Sequence, residues 1–137
     1  MTYSLQFESQ HTYDDAGTGI GVPVELSFGD RAVILTAKLD TGASFCIFAR
    51  TYAEALGLDV EKGQLEWVST AVGGRFLTFG HEVTISTIDI EFDAMVYFAK
   101  EEVFKRNVLG RRGWLDQLRI GLIDYDRSLY LSGYNMA

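Results

Sequence analysis

Cysteine, histidine and proline are scarce in this chain, and each scarcity narrows its chemistry. The single cysteine, Cys46, cannot close an internal disulfide, in keeping with a reducing compartment. Beside Phe45, Ile47 and Phe48 it is expected to pack in the core. His11 and His81 stand at no metal-ligand spacing with each other or with Cys46, so neither a metal nor a cofactor is expected. The one proline, Pro23, belongs near a sheet edge or a strand start. Basic charge is also short. Lys and Arg number 12 against 19 Asp and Glu, a net charge of -7, and Arg111-Arg112 is too small a cluster for a nucleic-acid partner. No apolar run reaches the roughly 18 residues of a membrane span, and the first residues lack the basic and apolar regions of a signal peptide. The expectation is a cytoplasmic protein without a membrane partner. Neither a Walker loop nor a G-x-S-x-G turn occurs, and the glycine-rich residues 17–21 have Val22 where a dinucleotide loop needs its third glycine.

What is present is the material of one globular domain. In a chain of 137 residues, 47% hydrophobic and 23% charged, a substantial core can form. The pattern is mainly that of short strands. Tyr3, Leu5 and Phe7 alternate with polar residues and predict a half-buried strand, followed by a polar loop to Gly21. Val22, Val24, Leu26 and Phe28 alternate in the next strand, and Gly29-Asp30 predicts a tight hairpin into an apolar strand ending at Leu39. Phe48, Tyr52 and Leu56 fall at helical spacing before Gly57. Two strand-like runs, residues 65–72 and 75–79, flank Gly73-Gly74 and predict a long hairpin. Trp67 and Phe79 are expected in the core. Val83 and Ile85 alternate out of phase with Ile88, Ile90 and Phe92, so a bulge or turn is expected near Ser86-Thr87. Residues 95–98 predict another strand. Residues 111–118 suggest a short helix burying Trp114, Leu115 and Leu118, and a hairpin about Asp126-Arg127 closes the chain. No repeat or linker interrupts the pattern.

The chemistry concentrates at Asp40-Thr41-Gly42-Ala43-Ser44, where an apolar strand carries one carboxylate into a turn of small residues. An Asp that only bonds its own turn gives the same local pattern. An aspartyl-phosphate enzyme would also set an Asp at a strand end, but its usual second acid is replaced here by Gly42. A second motif, Val108-Leu109-Gly110-Arg111, lies far downstream in a fixed order with the first.

Together these residues resemble the retropepsin-like aspartic proteases over residues 20–131. The resemblance implies a mainly β, single-lobe acid-protease fold with one or two short helices, spanning residues 1–137 with residues 1–19 as an N-terminal arm. It implies that Asp40 is catalytic, that Thr41, Gly42 and Ala43 shape its loop, and that Val108 and Leu109, with Gly110 and Arg111, support that loop from beneath. The hairpin at Gly73 and Gly74 corresponds to the flap, with Val72 and Phe76 as apolar contacts to a peptide. Many retroviral members have an acid at the position of Ser44 that pairs with the arginine matching Arg111; here that partner is a hydroxyl. Two carboxylates are needed to activate one water, yet none of Asp14, Asp15, Asp30, Asp59, Asp89, Asp93, Asp116, Asp124 or Asp126 precedes Thr-Gly or Ser-Gly. The second must be Asp40 of another copy, so the expectation is a homodimeric aspartic endopeptidase acting on peptide or protein substrates. The alternatives are a catalytically silent module of the same fold that dimerises or binds peptides, and a monomeric β-module whose Asp40 only holds a turn.

Overall fold

Apolar alternation builds most of the architecture, and the computed structural model describes residues 1–15 and 17–135. Strands β2 (Gly21–Phe28) and β3 (Arg31–Leu39) form the first hairpin, with Phe28 opposite Arg31 across Gly29-Asp30. Gly29 has a φ of 60°, the left-handed value such a tight turn requires. Val22, Val24 and Leu26 on one face of β2 meet Ala37 and Leu35 of β3, and all five are buried. Each such side chain contributes about 1.5–3 kcal/mol through burial.

Strand β4 (Ile47–Phe48) runs directly into the helix α1 (Arg50–Ala55), so Phe48 ends a strand rather than opening the helix. Gly57 closes the helix with a φ of 76°. Strands β5 (Gln64–Ser69) and β6 (Arg75–Thr87) make the long hairpin, and β7 (Ile90–Ala99) follows. The change of alternation phase is absorbed at Ile88-Asp89, two residues beyond Ser86-Thr87. Both have positive φ, 44° and 67°, which closes a two-residue turn with no bulge. Residues 95–98 are the second half of β7 rather than a separate strand.

With β8 (Val108–Leu109), the main sheet runs in the order β2-β3-β8-β4-β7-β6-β5. A further pairing of β2 with β6, Leu26 opposite Ile85, closes it on itself. Pro23 lies on β2 outside the stretch paired with β6, where its missing N–H breaks no ladder. The core inside the closed sheet includes Val24, Leu26, Ile85, Val96 and Phe98.

A second sheet joins both ends of the chain in the order β1-β10-β9, from β1 (Ser9–Thr12), β9 (Leu118–Ile123) and β10 (Ser128–Gly133). The first strand therefore starts at Ser9, and the alternation at residues 3–8 does not form one. Tyr3 and Leu5 are 85% and 64% exposed, since no strand among the described residues reaches them. Phe7 alone is anchored, its ring centre 6.0 Å from that of Tyr130. The helix expected at residues 111–118 shrinks to a 3-10 turn at Leu115–Gln117, because Gly113 with a φ of 100° breaks the helical path. Trp114 and Leu118 are nonetheless buried, and Leu115 half-buried. The fold is mainly β, with one short α-helix among the described residues.

Candidate active site

Strand β3 ends at Leu39, and Asp40 begins the loop that leads to β4. Beneath this loop, β8 is inserted between the two strands: Lys38 and Leu39 pair in parallel with Val108 and Leu109, while Ile47 pairs antiparallel with Val108. The Asp40 N–H donates to the Leu109 carbonyl at 3.0 Å. The N–H groups of Arg111 and Arg112 donate in turn to the carbonyls of Ala43 and Ser44 at 2.9 and 3.0 Å. The loop is thereby stitched to residues 109–112 along its length. Asn107 extends the stitching, its side-chain oxygen accepting from the Ala49 N–H at 3.0 Å.

Gly110 is required by space. A Cβ there would lie 2.2 Å from the Phe45 carbonyl oxygen and 2.8 Å from that of Ala43, far inside contact distance with main chain that cannot swing away. Below it, Cys46 is fully buried and its sulfur accepts from the Gly110 N–H at 3.4 Å. Burial pushes the thiol pKa up to about 12, against the lowering effect of the Gly110 N–H, so Cys46 is a packed thiol rather than a nucleophile.

The Asp40 carboxylate is half-buried. Its Oδ1 accepts from the Gly42 N–H at 2.9 Å, which fixes the rotamer, while Oδ2 takes no hydrogen bond among the described residues. Asp40 stands in the wall of a groove of about 610 Å³ together with Gly42, Ala43, Phe45 and Val108. Residues 67–71 of the β5–β6 hairpin border the same groove. Phe76 lines it and stacks on Phe104, ring centres 4.5 Å apart.

Trp67 is 48% exposed on this groove rather than in the core, sharing the exposed alternation of β5 with Leu65 and Ser69 while Glu66 and Val68 are half-buried. Phe79 is buried, as its alternation predicts. Val72 is 94% exposed at the tip of the hairpin and does not line the groove within one subunit. The tip is held locally: the Thr70 N–H donates to the Gly74 carbonyl at 2.7 Å, and the Gly74 N–H donates to the Thr70 hydroxyl at 3.1 Å. Gly73 takes a φ of 91°, whereas Gly74 does not adopt positive φ.

Thr41 is exposed beside Asp40. Arg111 uses its main chain to hold the loop, while its exposed side chain forms no ion pair among the described residues. Phe45, Trp67, Phe104 and Arg106 also line the groove. Sequence patterning placed Trp67 in the core, used Phe45 only as an apolar neighbour of Cys46, and gave no signal for Phe104 and Arg106, which lie on an irregular stretch without periodicity. The described residues hold no cluster of His, Cys, Asp and Glu suited to a metal, and no helix is long and apolar enough to cross a membrane.

The model of the family described as aspartyl protease matches residues 22–112. Among solved structures, the chain is similar to a retropepsin-like aspartic protease from Rickettsia conorii at 19% identity and a TM-score of 0.59, covering 95% of this chain and 96% of that one. It is similar to the retroviral protease-like domain of Ddi1 from Leishmania major, with 22% identity, a TM-score of 0.56 and coverage of 88% and 91%. EIAV protease complexed with the inhibitor HBY-793 matches at 19% identity and a TM-score of 0.54, covering 72% of this chain and 86% of that one. No match was found among curated proteins. The chain belongs to the aspartyl protease family and has the retropepsin-like fold.

Proposed function

We propose that this chain is an aspartic endopeptidase that works as a homodimer, with Asp40 of each subunit forming the catalytic pair. The observation that carries the proposal is Asp40 itself, a carboxylate at the end of a tightly stitched loop, opening on a peptide-sized groove with Oδ2 unbonded. It is the one acid lining that groove among the described residues, so one subunit is incomplete as a catalyst.

A two-fold axis through the loops would bring the two carboxylates together. Like charges about 3 Å apart cannot both ionise, so one keeps its proton. The ionised carboxylate takes a proton from a bound water as the water oxygen attacks the scissile carbonyl carbon. The protonated carboxyl donates to the carbonyl oxygen as it gains charge. Collapse of the tetrahedral adduct breaks the C–N bond, and the amine leaves with a proton from the pair. Thr41 would hold the partner loop through its exposed hydroxyl. Val108, Leu109, Gly110 and Arg111 would keep the loop rigid, while Gly73 and Gly74 would let the flap close over the substrate. Phe76 would contact the bound peptide, and Val72 would do so only once the tip closes.

The test is a peptide-library digest with the parent protein and Asp40→Asn, alongside sedimentation velocity over a range of concentrations. Cleavage lost in Asp40→Asn, with a concentration-dependent dimer, supports the proposal. Unchanged cleavage, or a strict monomer that cleaves, ends it. A second reading is favoured by the Gly42 N–H bond to Oδ1, which gives the carboxylate a purely structural use. On that reading the fold and dimer bind peptides without cutting them, and peptide binding without cleavage at any pH is its signature.

A further inference from the structure

The groove differs in charge from the chain around it. The protein carries a net charge of -7, yet the groove is lined by one acid, Asp40, and by Arg106. Two more arginines rest on rings that line it, without lining it themselves. The guanidinium carbon of Arg75 lies 4.6 Å from the ring centre of Trp67, and that of Arg112 lies 5.6 Å from the ring centre of Phe45. Arg75, Arg106 and Arg112 form no ion pair among the described residues, whereas Arg50 and Arg127 do. Ser44 joins the groove to the hollow that holds Arg112. The acid in that hollow, Asp116, already accepts at Oδ1 from the Gly113 N–H at 3.0 Å and the Gln117 side chain at 3.3 Å.

A guanidinium stacked on a ring is restrained in orientation while its N–H edge stays open to a carboxylate. The groove lining also carries the apolar side chains of Ile47, Val68 and the stacked Phe76–Phe104 pair. We infer that the groove selects extended peptides with large apolar residues at the centre and Glu or Asp in the flanking positions, held by Arg75, Arg106 and Arg112. The inference rests on the groove being the peptide site proposed above, and it adds the substrate class. Exposed carboxylate–arginine pairs are worth up to about fivefold in affinity each, and salt screens them.

The experiment measures fluorescence anisotropy of labelled peptides with a common Phe-Leu centre and Glu, Gln or Lys flanks, bound to Asp40→Asn protein. The expected order of affinity is Glu, Gln, Lys, with about fivefold or more between Glu and Gln near neutral pH. The gap narrows in about 0.5 M salt. It closes below about pH 3.5, where the peptide carboxyls are protonated. Arg75→Gln, Arg106→Gln and Arg112→Gln each narrow the ratio of Glu-flanked to Gln-flanked affinity. Salt and pH titrations on the unsubstituted arginines give the same answer should a variant fail to fold. Equal binding of all three peptides, a gap indifferent to salt and pH, or no binding by any peptide overturns the inference. Digestion of the same peptides by the parent protein separates the two ideas. Equal cleavage of all three removes charge selection and keeps the peptidase. A binding preference for Glu with no cleavage removes the peptidase and keeps charge selection.

Discussion

Residues 40–46 and residues 70–74 border one groove and are held by opposite means. The first loop is fastened to a distant segment, its carbonyls and N–H groups paired with residues 109–112, and the space at Gly110 admits no further atom. The second is fastened only to itself, through bonds between Thr70 and Gly74, and a Cβ at Gly73 would meet nothing within 4 Å. On the proposed function, a carboxylate that meets its counterpart to within about 0.5 Å would need the first kind of support. A segment that opens and closes over a peptide would need the second, because motion is drawn from regions with few buried contacts.

Substitutions can break this contrast or sharpen it. The largest expected effect is on hydrolysis by Asp40→Asn, a fall of about 10²–10⁴-fold with the thermal midpoint nearly unchanged, since the Asn side-chain oxygen still accepts from the Gly42 N–H. A peptide cleavage assay paired with thermal unfolding reads both. On the proposed function, the parent protein should show a bell-shaped pH profile on the acid side of neutral, its two apparent pKa values belonging to the pair. Activity still rising above about pH 8 would contradict a carboxylate pair.

Gly110→Ala should destabilise the protein by about 3 kcal/mol or more and remove activity with it, because main chain has to move to make room. Calorimetry should show the midpoint lowered by roughly 10 °C. Gly73→Ala should cost only about 1 kcal/mol, from the positive φ alone, and lower kcat more than stability if the tip must flex. If the two alanine variants proved equally damaging, the contrast between loops would be wrong.

The smallest expected effect lies outside both loops. Arg50 holds the Glu61 carboxyl below its usual range, chiefly through a hydrogen bond. A depressed folded-state pKa adds stability above the unfolded value of 4.5, lost as pH falls through the folded one. The difference in urea midpoint between the parent and Glu61→Gln should therefore be present at about pH 6 and vanish on acidification. At Tyr13 the sign is reversed. Burial, with the hydrogen bond to Asp124, raises its pKa from 10.0 to about 12, so stability falls as pH climbs from 10.0 to about 12. Tyr13→Phe should flatten that alkaline decline.

Local patterning carried much of the fold because period-two alternation and positive-φ turns are properties of neighbouring residues. The β2–β3 hairpin, the long hairpin at Gly73 and the closing hairpin near Arg127 follow from them. Where patterning failed, a long-range partner was missing or a local break intervened. Tyr3 and Leu5 alternate correctly, but among the described residues no strand lies beside them. Residues 111–118 have helical spacing, but Gly113 turns the chain away.

The sequence by itself determined most strand phases and the presentation of Asp40 at a strand end, and it raised the expectation of a second copy, since no other Asp begins such a turn. The tertiary structure decided what surrounds that carboxylate. Phe104 and Arg106 reach the groove from an irregular stretch, and Trp67 turns outward to line it. Gly110 proves indispensable only when Phe45 is folded against it. Such contacts join residues far apart in the chain, and their geometry is set by strand register and sheet closure rather than by the preferences of adjacent residues.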